Sequence, residues 1–120
     1  LVEDEPAVRK VIRLQLTALG HPVLEAANGV EAIALLRDVE DIAFLVSDTV
    51  MPGGMDGREL ARQARALRPR LPILLITGYT SEPTTADGID DIPVLRKPFD
   101  QPALAAALAA LDTNEDPEQP

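Results

Sequence analysis

Two short runs, residues 43–47 (AFLVS) and 72–77 (PILLIT), are apolar almost without interruption. A strand with one wet face alternates polar and apolar residues, whereas a strand covered on both faces does not. Runs of this kind therefore predict central strands of a parallel sheet with helices on each side. A parallel sheet needs a crossover after every strand, usually a helix. The core that fills such a sandwich must come from Leu, Ile, Val and Ala, because aromatic residues are 2% of the chain and Trp is absent.

The crossovers are legible between these runs. Asp4 is a candidate cap for a first helix with Pro6 in its first turn, where the missing N–H costs nothing. Val8, Val11, Ile12, Gln15, Leu16 and Leu19 follow at helical spacing until Gly20 stops them. Residues 23–26 read as a short strand. Asn28 and Glu31 have capping-box spacing ahead of an apolar stripe at Val30, Ile33, Ala34 and Leu36. After the Pro- and Gly-rich residues 52–57, a third helix over 58–67 sets Leu60, Ala61, Ala64 and Leu67 opposite a row of arginines. Val94 and Leu95 form a further strand, and Asp100 caps a last helix striped with Leu104, Ala107, Leu108 and Leu111. Residues 80–93 lack apolar periodicity and contain Pro83 and Gly88, which predicts a short or irregular helix. Leu1 and Val2 read as the stub of a strand cut short, so a boundary within a larger protein is expected. The expected architecture is α/β: a doubly wound parallel sheet of about five strands and about five helices.

The net charge is −9 over 120 residues, the opposite of what a surface that neutralises nucleic-acid phosphates requires. Cysteine is absent, which removes disulfides and thiolate metal sites. No apolar run is long enough to span a bilayer and no signal-peptide pattern opens the chain, so a cytoplasmic location without membrane contact is expected.

In a doubly wound sheet, ligands collect beyond the carboxyl ends of the strands. The residues there are Glu3 and Asp4 after the first strand, Asp48 after the third, Thr77 at the end of the fourth and Lys97 after the fifth. Three carboxylates gathered in one place repel unless a cation offsets them. Mg2+ suits oxygen ligands and Lys97 supplies a fixed positive charge. Such a site fits phosphoryl transfer onto the Asp48 carboxylate, with metal and ammonium neutralising the phosphoryl oxygens and the Thr77 hydroxyl donating to the new group. Taken singly, each residue has a plainer explanation: Glu3 and Asp4 as helix-favouring acids, Thr77 as a strand-end hydroxyl, Lys97 as a solvated charge. Their joint placement is what favours chemistry.

The segments LVEDEPAVR (1–9), VSDTVMPGGMDG (46–57), LLITGY (74–79) and LRKPF (95–99) together resemble the receiver domain of response regulators and hybrid histidine kinases, over residues 1 to about 111. The resemblance implies a flavodoxin-like sheet of order 2-1-3-4-5. It implies that Glu3 and Asp4 hold Mg2+, with Asp4 the more direct ligand. Asp48 corresponds to the phosphoacceptor and a metal ligand, Val50 to the position whose backbone carbonyl completes the metal's protein ligands, Thr77 to the switch hydroxyl and Lys97 to the phosphoryl-binding lysine. A cis peptide before Pro98 is also implied. The implied partner is a histidine kinase or a histidine phosphotransfer protein, and a weak homodimer through the 80–93 region stays open. Residues 112–120, polar and acidic, are expected to be a disordered tail or a linker.

Three departures from the family pattern stand out. The acidic pair is Glu-Asp rather than Asp-Asp, the loop after Asp48 carries an extra glycine as in receivers of hybrid kinases, and Val94 stands where many members have Tyr or Phe. Two other functions compete. An aspartyl-phosphate phosphatase of the haloacid-dehalogenase type needs a second Asp two residues after the first, and Val50 stands there. A pseudo-receiver, an interaction module independent of phosphorylation, has no need of the intact set of Glu3, Asp4, Asp48, Thr77 and Lys97. His21 reads as a turn residue, and the arginines at 58, 62, 65, 68 and 70 as a solvated helix face.

Overall fold

The computed structural model describes residues 1–51, 55–78, 92–97 and 99–115. The expectations for Tyr79, for the irregular helix at 80–91, for the peptide at Pro98 and for residues 116–120 lie outside them.

Three parallel strands are hydrogen-bonded in the order β1 (Leu45–Asp48), β2 (Ile73–Thr77) and β3 (Val94–Arg96). On the outer side of β1, Val2 bridges in parallel to Ser47 on one flank and to Ala26 on the other. The spatial sequence is therefore Ala26, Val2, β1, β2, β3, the expected 2-1-3-4-5 order with its first two members reduced to single bridges. Residues 23–26 do not make the strand that their sequence predicts. Pairing there is limited to Leu1–Glu3, and Leu24 on this edge is 47% exposed. The third strand candidate starts at Leu45 rather than 43.

Side chains alternate through the sheet into two apolar layers. Leu45, Ile73 and Leu75 pack with Ile33 and Leu36 of α2 (Gly29–Asp38) and with Leu60, Ala61 and Ala64 of α3 (Gly57–Leu67). Val46, Leu74 and Ile76 face the other way, onto Ile12 and Leu16 of α1 (Pro6–Ala18) and Leu104, Leu108 and Leu111 of α4 (Gln101–Glu115). Burial on both faces is why β1 and β2 show no polar–apolar alternation before their polar carboxyl ends.

Most helix ends follow the local chemistry. At the end of α1, the Gly20 amide donates to the Thr17 carbonyl and the His21 amide to that of Leu16. This Schellman arrangement needs the left-handed Gly20, whose φ is 97°. Asn28 accepts from the Glu31 amide at 2.9 Å, Asp56 from Glu59 at 2.9 Å and Asp100 from Ala103 at 3.0 Å. The start of α1 differs from expectation. Its cap position is Glu5, one residue beyond Asp4, and the Glu5 side chain makes no capping hydrogen bond. Asp4 is thus released from a capping role. At the other end α4 continues to Glu115, into the segment whose polarity set it apart.

Candidate functional site

Every strand that reaches the carboxyl edge delivers a polar residue to it. Val2 is fixed between Ala26 and Ser47, with its amide on the Val46 carbonyl at 2.8 Å and its carbonyl accepting from Asp48 N at 3.1 Å. These bonds set Glu3 and Asp4 directly beside the end of β1. Asp48 ends that strand, and Lys97 follows β3 with its amide on the Thr77 carbonyl at 2.8 Å.

The side chains converge. Lys97 Nζ lies 3.2 Å from Asp48 Oδ2 and 3.6 Å from Glu3 Oε1. Asp48 Oδ1 accepts from the Val50 amide at 3.2 Å. One carboxylate oxygen from each of Glu3, Asp4 and Asp48 lies within 4.8 Å of the others, and among the described residues no other trio of acidic or histidine side chains comes this close. Asp48 is 8% exposed and Glu3 3%, while Asp4 is half-buried.

Burying a carboxylate costs free energy unless it is paired. Glu3 is paired incompletely: Oε2 accepts from the Glu5 amide at 3.2 Å, whereas Oε1 is buried without a hydrogen bond. Burial, with Asp48 nearby adding to it, pushes the Glu3 carboxyl up to about 7 against the lowering effect of the Glu5 amide and Lys97. Burial alone would lower the Lys97 ammonium, but the facing Asp48 and Glu3 carboxylates outweigh it and hold it above its ordinary value.

A buried carboxylate oxygen with no hydrogen bond and only the 3.6 Å ion pair to Lys97, facing two further carboxylates, suits a hard divalent cation. The trio's oxygens lie within 4.8 Å of one another, so modest side-chain adjustments bring them to the roughly 3–4 Å that separates ligand oxygens around Mg2+. Glu3, Asp4 and Asp48 therefore fit the ion that the acidic pattern calls for.

Two other sequence-chosen residues stand at the same edge. Thr77 is buried at the end of β2, and its hydroxyl donates to the Gly78 carbonyl at 3.3 Å rather than to Asp48. Val50 reaches the site through its amide, while its side chain is 63% exposed.

Two contributors were not singled out by sequence reasoning. A Cβ on Gly57 would stand 2.0 Å from the Asp48 carbonyl oxygen, so only glycine lets the start of α3 press against the end of β1. The Asp56-Gly57 step at the helix start was the available signal. Arg9 Nη1 donates to the Glu3 carbonyl at 2.7 Å, a bond with no periodic signature.

Fold and site define a doubly wound α/β domain whose strand ends gather three carboxylates beside one lysine. The family model for the response regulator receiver domain matches residues 1–109, and the chain belongs to that family. Its relatives include a chemotaxis protein CheY homolog of Campylobacter jejuni, 39% identical over 115 residues, which cover 90% of this chain and 86% of the relative. The sensor kinase CckA of Brucella abortus is 34% identical over 119 residues, 97% of this chain but 12% of the kinase. The chain likewise spans 24% of the transcriptional regulatory protein GlrR of Escherichia coli. A response regulator receiver protein from Sinorhizobium medicae superimposes with a TM-score of 0.86 at 29% identity, covering 95% of this chain and 92% of that one.

Proposed function

We propose that the chain accepts a phosphoryl group on Asp48 from the phosphohistidine of a histidine kinase or a histidine phosphotransfer protein. Glu3, Asp4, Asp48 and the Val50 carbonyl hold Mg2+ for the reaction. What carries the reading is the setting of the Asp48 carboxylate, which ends a buried central strand with one oxygen 3.2 Å from Lys97 Nζ and the other on the Val50 amide.

In the transfer, an Asp48 oxygen attacks phosphorus, the P–N bond to the donor imidazole breaks, and the imidazole nitrogen takes up a proton. Mg2+ supplies charge neutralisation at the phosphoryl oxygens and relieves the repulsion among the three carboxylates. Lys97, held cationic by its carboxylate partners, supplies the second positive charge. The Thr77 hydroxyl is free to exchange its weak 3.3 Å bond to Gly78 for a phosphoryl oxygen. The domain then catalyses its own phosphorylation and dephosphorylation and no turnover of a separate substrate.

Mass spectrometry of the intact chain after incubation with Mg2+ and acetyl phosphate tests this reading. A single phosphoryl adduct is expected in the parent and none in Asp48→Asn. No adduct in the parent would favour a pseudo-receiver, and an equal adduct in Asp48→Asn would place the chemistry elsewhere.

A further inference from the structure

Arg9 stands early in α1, where a cation opposes the helix dipole, and its guanidinium turns back over the start of its own helix. Nη1 donates to the Glu3 carbonyl at 2.7 Å, and Nε meets Glu25 Oε1 at 3.2 Å. One turn further on, Arg13 Nε meets the other oxygen of Glu25, also at 3.2 Å. The two arginines share one anchor, but the Glu3 contact is made by Arg9.

The Glu3 carbonyl belongs to the peptide that joins Glu3 to Asp4. On the sheet side this stretch is tied through the Glu3 amide, which donates to Ala26 at 3.1 Å. On the helix side it is tied by Arg9. We propose that Arg9 is a positioning residue for the metal site. Its guanidinium fixes the Glu3–Asp4 peptide, and with it the directions in which both carboxylates leave the chain. Glu25 anchors the guanidinium and offsets its charge. The proposal rests on the reading of Glu3, Asp4 and Asp48 as Mg2+ ligands.

Positioning and simple electrostatics predict opposite signs. A guanidinium beside a cation site repels the cation, so by charge alone its removal tightens Mg2+ binding. If Arg9 orients the ligands, its removal weakens binding in spite of that relief. Lysine keeps the charge but lacks the planar fork that reaches two acceptors at once, so Arg9→Lys separates geometry from charge. Arg13→Lys disturbs the same Glu25 anchor without touching the acidic peptide.

Calorimetric titration of Mg2+ into the full chain compares the parent with Arg9→Met, Arg9→Lys and Arg13→Lys, with circular dichroism and melting in chelator as the check on folding. Both Arg9 variants are expected to bind about tenfold more weakly, and Arg13→Lys within about twofold of the parent. With acetyl phosphate as donor, the Mg2+ concentration for half-maximal phosphorylation should rise by the same factor in the Arg9 variants while the rate at saturating Mg2+ is kept. Unchanged or tighter binding in the Arg9 variants, or an equal loss in Arg13→Lys, overturns the proposal. Should Arg9→Met fail to fold, Arg9→Lys decides. A parent that binds no Mg2+ defeats the ligand assignment itself, an outcome distinct from failure of Arg9 alone.

Discussion

At the scale of single residues, the raised Glu3 carboxyl links the site to stability. Its value of about 7 in the folded chain lies above the ordinary 4.5, so the folded state binds that proton more tightly than the unfolded state does. The resulting stabilisation is fully present below about 4.5 and is lost as pH rises through about 7. Comparison of the parent with Glu3→Gln at each pH isolates this contribution. In metal-free urea denaturation the two should differ by less than about 1 kcal/mol at pH 5, and Glu3→Gln should lead the parent by about 3 kcal/mol at pH 8. A difference that stays constant across this range would show that the Glu3 carboxyl is not held up by its surroundings.

At the scale of elements, the contact between α3 and the end of β1 depends on Gly57. Gly to Ala within a helix ordinarily stabilises by about 1 kcal/mol. Here the added carbon would meet the Asp48 carbonyl oxygen at 2.0 Å and the Thr49 Cα at 2.7 Å. Gly57→Ala should therefore destabilise by about 2 kcal/mol, read from chemical denaturation. A neutral or stabilising result would mean that α3 can slide without cost. The elements were legible where one physical signal dominated: β1 and β2 from apolar runs covered on both faces, and α2 and α4 from their caps. They were less legible where tertiary contacts decide. Residues 23–26 have strand-like composition but find too little partner. Arg68, grouped by sequence with a solvated face, instead caps the end of α2 by donating to the carbonyls of Leu36 at 2.6 Å, of Val39, and of Glu40 at 3.1 Å. The candidate site was legible as the set of residues following strands. Arg9 was not, because a side chain that bonds a backbone carbonyl leaves no spacing to read.

At the scale of the whole molecule, the strand ends at one edge of the sheet gather the carboxylates; Lys97 offsets part of their mutual repulsion, and a bound cation would offset more. Binding to the folded state alone raises stability by mass action, by about 3 kcal/mol when the ligand is a hundredfold above its dissociation constant. For a domain of this size that corresponds to a rise of roughly 10 °C in melting temperature with Mg2+. The rise should largely vanish in Asp4→Ala, whose half-buried carboxylate is the part of the trio most open to solvent. An equal shift in parent and variant would place the ion elsewhere. No helix among the described residues is long and apolar enough to cross a membrane.

The central claim is that a phosphoryl group is carried on the Asp48 carboxylate. An acyl phosphate, unlike a free carboxylate or a phosphate ester, is reduced by borohydride to an alcohol, which marks the residue that bore it. Peptide mapping by mass spectrometry after acetyl phosphate, Mg2+ and borohydride treatment should find a single reduced aspartate, Asp48, converted to homoserine. Reduction at Glu3, Asp4 or any other carboxylate with Asp48 intact would contradict the account.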